Sequence, residues 1–454
     1  METAIIGFIH GVDARDLPAS VHDQLRRCLL DLIAVSAAGT QTRVSQIIRT
    51  HAARHHGVGE GTGARLLFDG RRVSPAGAAL ANAATIDGFD GHDGHRLTKG
   101  HAGAAVLPAA LAFLDEHPDA DMDQLLVALA IGYELGTRAG ITLHATAGDY
   151  HSSGAWNAVA CAAIGARVMG LDHAATAHAL GIAEYHAPRA PMMRCIQFPS
   201  MVKDSSGWGS FTGVTSALLA ADGFTGPPPA LLEGSAEGPW ADLGRRWLVL
   251  DQYFKPFPVC RWAHPAIFAA LEVMRRDSID AHRVDTVEVR TFDPAIQLDT
   301  RLPDNTEQAQ YSLPFPVAVA IVRGEVDPAI VTDPATADDR IRRLSAQMVV
   351  QEDPAMTSGF PASRQADVTV VLSDGTRHAS GPLESPGDPE WPLSNDELDA
   401  KFMRYCDEPL GTQRARRLLA AARHGDGPLR DGLADLWSPT LPPCQVSHDE
   451  DPGR

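Results

Sequence analysis

The chain has little of what several function classes require. Basic residues are in deficit: 39 Lys and Arg stand against 57 Asp and Glu, a formal charge of −18. A general nucleic-acid binder carries a basic face, so no nucleic-acid partner is expected. A small anionic substrate stays possible, because a local basic pocket can outweigh the global charge. No run of 18 or more apolar residues occurs, so no membrane span is expected. The N-terminus, METAIIGFIHGVDARD, has no basic first segment, and His10 breaks its short apolar run; it is a poor secretory signal. Cysteine is sparse. Cys28, Cys161, Cys195, Cys260, Cys406 and Cys444 include no CxxC pair, which argues against a zinc ribbon or a thioredoxin-like motif. Scattered thiols in a large chain suit a reduced cytoplasm better than a disulfide scaffold.

What is present is ordinary globular composition, 44% hydrophobic and 21% charged over 454 residues, enough for two or three domain-sized units. The first 220 residues are rich in Ala and Gly and read mainly as helices. Residues 20–38 repeat apolar side chains at helical spacing, and 121–139 do the same after a polar start. Residues 153–169 are apolar nearly all round and rich in small side chains, the pattern of a buried helix with close neighbours. Gly170 stands where a C-cap glycine belongs. Residues 211–222 predict another small-residue helix. After residue 225 the composition changes. GFTGPPPALLEG is a loop, 264–275 a helix, 283–291 a half-buried strand, and 367–372 a strand entering a turn at Asp374-Gly375. With a helix over 313–322, the stretch from about 270 to 395 reads as a smaller α+β unit. Helical patterning returns at 396–405 and 413–423. The Pro-rich, acidic residues 439–454 read as a flexible tail.

Chemistry concentrates in DGFDGHDGHRLTKGHAG, residues 87–103, where Asp87, Asp90, His92, Asp93, His95, Lys99 and His101 lie among five glycines. Asp and His serve as metal ligands or as acid, base and orienting partner. The spacing matches neither HExxH nor an EF-hand loop. In GDYHSSGAWN, His151 precedes the buried helix, and Ser152 or Ser153 can cap it. The helix N-terminus would then favour a substrate carboxylate. Lys203 in MVKDSSGWGS, and Lys255, Arg261 and His264 in KPFPVCRWAH, are candidate carboxylate contacts, with Arg189 and Arg194 as further positive charge. Cys260 lacks a nucleophile's signature and reads as a small core residue.

These segments together resemble the MmgE/PrpD family, which includes 2-methylcitrate dehydratase, cis-aconitate decarboxylase and iminodisuccinate epimerase. The matching segments are LANAATIDGFDGHDGH, HAGAAVLPAALAF, GYELGTRAG, YHSSGAWNAVACAAIGARVMGLD, SMVKDSSGWGS, KPFPVCRWAHPAI, YSLPFPVAVAIVRG and GDPEWPLSNDELDAKF, in family order across residues 10–420. The resemblance implies a mainly α fold: a large helical domain over 1–267, an α+β lid over 268–398, and C-terminal helices over 399–438 that complete the large domain. It also implies a homodimer. The family's DFDDTH loop falls on Asp90 to His95, its next histidine on His101, and the histidine before the long helix on His151. Its two motif lysines fall on Lys203 and Lys255, and the later histidine on His264. Three departures stand out: Gly94 replaces the motif threonine, Asp204 a proline, and Phe315 a tyrosine. Loss of two hydroxyls implies a changed substrate, with His92, His95 and Lys99 as compensating contacts.

The chemistry implied is proton handling beside a carboxylate of a small di- or tricarboxylate. Lys203 and Lys255, with Arg261, would stabilise the charge that develops on the carboxylate. His101 and His151 would be base and acid, oriented by Asp90 or Asp93. His95, Lys99, Ser152, Arg261 and His264 would contact substrate. No cofactor and no metal are expected, since the lysines supply the positive charge. Dehydration is the leading reading. Epimerisation or decarboxylation of a related acid, and a non-catalytic family member, are the alternatives, with metal-dependent hydrolysis the weakest.

Overall fold

The computed structural model describes residues 2–233 and 238–440. The fold is mainly α, with a smaller α+β region. At the centre of the larger, helical part runs Gly154–Met169, buried through its first three turns and ended by Gly170 in the left-handed conformation. Met122–Thr146 and Ser206–Ala221 pack against it. The small residues set the spacing: a Cβ on Gly213 would come within 2.4 Å of the Ala158 carbonyl oxygen, so two helix backbones meet almost directly.

Local signals explain most boundaries. Met122–Thr146 begins with a capping box between Asp121 and Gln124, and Ser74 caps Pro75–Asp87. Met122–Thr146 is long and apolar enough to cross a membrane, but it is 94% buried within the helical core. The helix expected over 211–222 starts earlier, at Ser206. Its SSG start looks like a turn in isolation. Here the Asp87 carboxylate accepts from the Ser206 N–H at 3.1 Å, and Gly209 lies against Gly154 too closely for a Cβ. Tertiary packing extends the helix.

A second core is built on a four-stranded sheet. Val284–Thr291 pairs in parallel with Val349–Glu352 and antiparallel with Ala366–Leu372, which turns at Asp374-Gly375 to pair with Arg377–Ala379. Val287, Val289, Val368 and Val370 are buried under the helices His264–Arg276 and Pro314–Arg323. Met192, Cys195, Ile196, Val259 and Trp262 also join this core. Asn395–Leu410 packs on Ala19–Gly39 in the helical part, where Lys401 donates to the Asp31 carboxylate and to the Gly91 carbonyl. Of the tail expected at 439–454, residues 441–454 lie outside the described residues.

Candidate active site

Between the two cores lies a narrow cavity of about 20 Å³, room for roughly one water molecule. Asp90, Lys99 and His101 reach it from the glycine-rich loop, Tyr150 and Asp204 from the helical part, and Tyr311 and Arg364 from the α+β region. The loop is held by a short pairing of Gly94–His95 with Gln252–Tyr253. Lys99, Lys203 and Ser205 adopt left-handed backbone, with φ of 51°, 47° and 57°. For side chains with a Cβ this is strained, and such strain collects at functional sites.

His101 is the best-oriented group. Its Nδ1 lies 2.6 Å from the Asp93 carbonyl oxygen. A carbonyl only accepts, so Nδ1 carries the proton and Nε2 keeps the lone pair. The His101 N–H donates to Ser153 Oγ at 2.9 Å, and Asn157 donates to the His101 carbonyl at 2.8 Å. Burial, and then the charge of Lys255, hold the imidazole well below its ordinary pKa. It is a neutral base. The His92 ring meets it edge-on, with centroids 4.3 Å apart.

Behind His101 a buried ion pair joins Lys255 to Asp90. Burial alone would raise Asp90, but Lys255 and then Lys203 outweigh it and keep the carboxylate ionised. Lys203 donates to Gln310 Oε1 and lies 4.5 Å from the Tyr311 ring centroid. Asp204 accepts from both the N–H and the hydroxyl of Ser153. Burial, then the charge of Asp87, push its carboxyl up to about 7.

Several expected site residues are placed elsewhere. His151 does not line the cavity: its Nδ1 contacts the Asp149 carbonyl at 2.8 Å, and its neighbour Tyr150 takes the wall position. The Asp93 side chain turns away to accept from Tyr133. Only its backbone carbonyl orients His101. Neither Ser152 nor Ser153 caps Gly154–Met169 through its side chain. Asp204 occupies that helix start, so no substrate carboxylate is free to do so. Ser152 Oγ and His95 Nδ1 are buried without partners and do not line the cavity. Burial pushes His95 down to about 3. His264 is buried between the Val259 carbonyl and Arg261. Arg261 reaches the wall, but its guanidinium is spent on Asp388 at 2.7 Å and on the carbonyls of Ser385 and Pro386. Arg189 pairs with Glu184, and Arg194 lies over Phe198. Cys260 lines the cavity, with its thiol pushed up to about 12 by burial, which removes it as a nucleophile.

The departures at Gly94 and Phe315 leave no simple gap. A Cβ on Gly94 would lie 2.5 Å from the Tyr253 hydroxyl and 2.7 Å from His101 Nδ1. Tyr253 therefore occupies the space of the absent threonine and brings a hydroxyl of its own. Phe315 is buried, while Tyr311, four residues earlier, lines the cavity. Tyr253 and Arg364 lie outside the quoted segments, while Tyr150 and Tyr311 open YHSSGAWN and YSLPFP without being candidate site residues there. Only the glycine at 94 signals that a partner must fill its place.

Asp90, His92 and His101 each offer one ligand atom within 4.8 Å of the others. They do not suit a dication as arranged, because the Lys255 ammonium already sits on Asp90. A larger open cleft of about 510 Å³ is lined by Asp13, Asp121 and Arg167. Those groups are spent on Arg15, on a helix cap and on the carbonyls of Ile9, His10 and Val12.

Comparison with known proteins places the chain in a family. The MmgE/PrpD N-terminal domain model matches residues 3–241, and the MmgE/PrpD C-terminal domain model matches 257–425. A cis-aconitate decarboxylase-like protein of Aspergillus oryzae is 23% identical, covering 89% of this chain and 90% of its own length. A cis-aconitate decarboxylase of Aspergillus terreus is 24% identical over 89% of this chain and 88% of its own. A 2-methylcitrate dehydratase of Salmonella typhimurium is 27% identical over 40% of this chain and 42% of its own.

Proposed function

The chain belongs to the MmgE/PrpD family, and from that premise we propose that it is a cofactor-independent hydro-lyase acting on a small hydroxylated di- or tricarboxylate. The observation that carries this reading is His101: neutral, fixed in one tautomer, and on the wall of a cavity that Lys99, Arg261 and Arg364 also line. His101 Nε2 takes the proton beside a carboxylate. The C–H electron pair moves onto that carboxylate, where the fields of Lys203 and Lys255 stabilise the extra charge. The pair then returns to form the double bond as the β-hydroxyl leaves. Asp204, poised near neutrality, gives the proton that makes the leaving group water. This assignment moves the acid from His151 to Asp204. The cavity is too small for such a substrate, so the α+β region acts as a lid that opens and recloses.

Decarboxylation is the second reading, favoured by the names of relatives that align over 89% of the chain. A homodimer is also proposed. Ile47, Val202 and Trp208 are exposed along one apolar groove, which a second copy would cover; sedimentation at a single monomer mass would overturn that.

Proton NMR of chelator-treated protein in D₂O tests the reaction, with citrate, 2-methylcitrate, cis-aconitate, malate, tartrate and amino-dicarboxylates as substrates. A new vinyl signal with loss of water supports the hydro-lyase. Loss of CO₂ moves the assignment to a decarboxylase, and exchange without conversion to an epimerase. Activity that returns only with added metal contradicts the mechanism.

A further inference from the structure

We propose that Arg364 is the receptor for a second carboxylate of the substrate, so that the α+β region closes on the ligand through hydrogen bonds it cannot make alone. This rests on the polycarboxylate reading above and adds to it a substrate class: acids with two carboxylates far enough apart to reach opposite walls.

Arg364 lies in the loop between Pro354–Gly359 and Ala366–Leu372. It is 4% exposed and lines the cavity. One amino group, Nη2, donates to the Arg96 carbonyl at 3.2 Å, and the guanidinium lies 5.2 Å from the Tyr253 ring centroid. Nε and Nη1 are buried with no hydrogen-bond partner. Asp388 gives Oδ2 to Arg261, and its Oδ1, also buried without a partner, acts on Arg364 through charge but makes no hydrogen bond to it. A buried guanidinium with unmade hydrogen bonds is costly, and here the missing partner is an oxygen pair presented from the cavity. Guanidinium geometry suits a carboxylate. Lys99 lines the same cavity, its ammonium over the Tyr150 ring at 4.3 Å, and adds positive charge beside the receptor. Lys203 and Lys255 lie behind the cavity wall and do not compete, since Lys255 is held by Asp90 and Lys203 by Gln310. Arg96 completes the device by donating to the Ala362 carbonyl at 3.1 Å, which straps the Arg364 loop to the loop that carries His101.

Calorimetric titration with tricarballylate, an unreactive tricarboxylate, tests this on the full chain. Wild type should bind it far more tightly than propionate. Arg364→Ala should weaken it at least about 30-fold, and Arg364→Lys, which keeps charge but not the fork, should fall between. The melting temperature of ligand-free Arg364→Ala should equal or exceed that of wild type, since the variant removes a buried guanidinium whose Nε and Nη1 make no hydrogen bond. Unchanged affinity in Arg364→Ala, or no tricarballylate binding by wild type, overturns the proposal. So does loss of binding with a lowered melting temperature in both variants, which would make Arg364 a loop strut. If Arg364→Ala abolishes binding while no acid is turned over, the lyase reading fails and this inference stands. If acids are turned over with KM unchanged in Arg364→Ala, the reverse holds.

Discussion

On the helical side of the cavity, Lys255 answers Asp90 and Ser153 answers Asp204. On the α+β side, two N–H groups of Arg364 have no answer. The helical wall is finished before substrate arrives, and its tautomer and charges are set by backbone carbonyls and buried pairs. The other wall is left incomplete. Chemistry needs preorganised groups, whereas closure needs a gain that only the ligand supplies. The two walls divide those tasks.

The division can be broken first at His101. His101→Ala should lower kcat/KM by about 10³-fold or more while circular dichroism stays native. Lys255→Met strands a buried carboxylate and should cost about 3–5 kcal/mol of stability by denaturant unfolding. Adding Asp90→Asn should restore most of it. The pH profile sharpens the comparison next. His101 is neutral well below its ordinary range, so the rate should stay flat as pH falls through 6. Asp204 acts as an acid, so the rate should drop as pH rises through about 7, and Asp204→Asn should remove that limb.

Asp93 gives a smaller, structural effect. Burial, then the charge of Asp31, raise it to about 7, above its unfolded value. The folded state therefore binds more protons between those two values, and stability should decline as pH rises from about 4 through 7. Asp93→Asn should flatten the decline in thermal melts. The smallest effect is expected at His151, where His151→Ala should change kcat/KM by less than about threefold. A larger loss would return that residue to the acid's role.

The sequence made the helical half legible because its signals are local. Small side chains at helical spacing, Gly170 and the polar start before Met122 each act within a turn or two of their own position. The glycine-rich loop was legible for the same reason, since Asp90, Lys99 and His101 crowd one short segment. Arg364 was not legible. Its role depends on what is missing around it, and a missing partner leaves no mark in neighbouring residues. His151 shows the converse: its proximity to a helix start in sequence said nothing of Asp204, which arrives from 51 residues away to occupy that start. Tyr253 lay between these cases. Gly94 recorded a vacancy, and only the strand register placed Tyr253 in it.

The central claim is that His101 removes a carbon-bound proton beside a carboxylate. Its most direct test is deuterium entry into a turned-over acid, followed by NMR in D₂O for wild type and His101→Ala side by side. The account predicts exchange or elimination at the α-carbon in wild type and at least about 10³-fold slower exchange in the variant. Exchange at the wild-type rate in His101→Ala would contradict it.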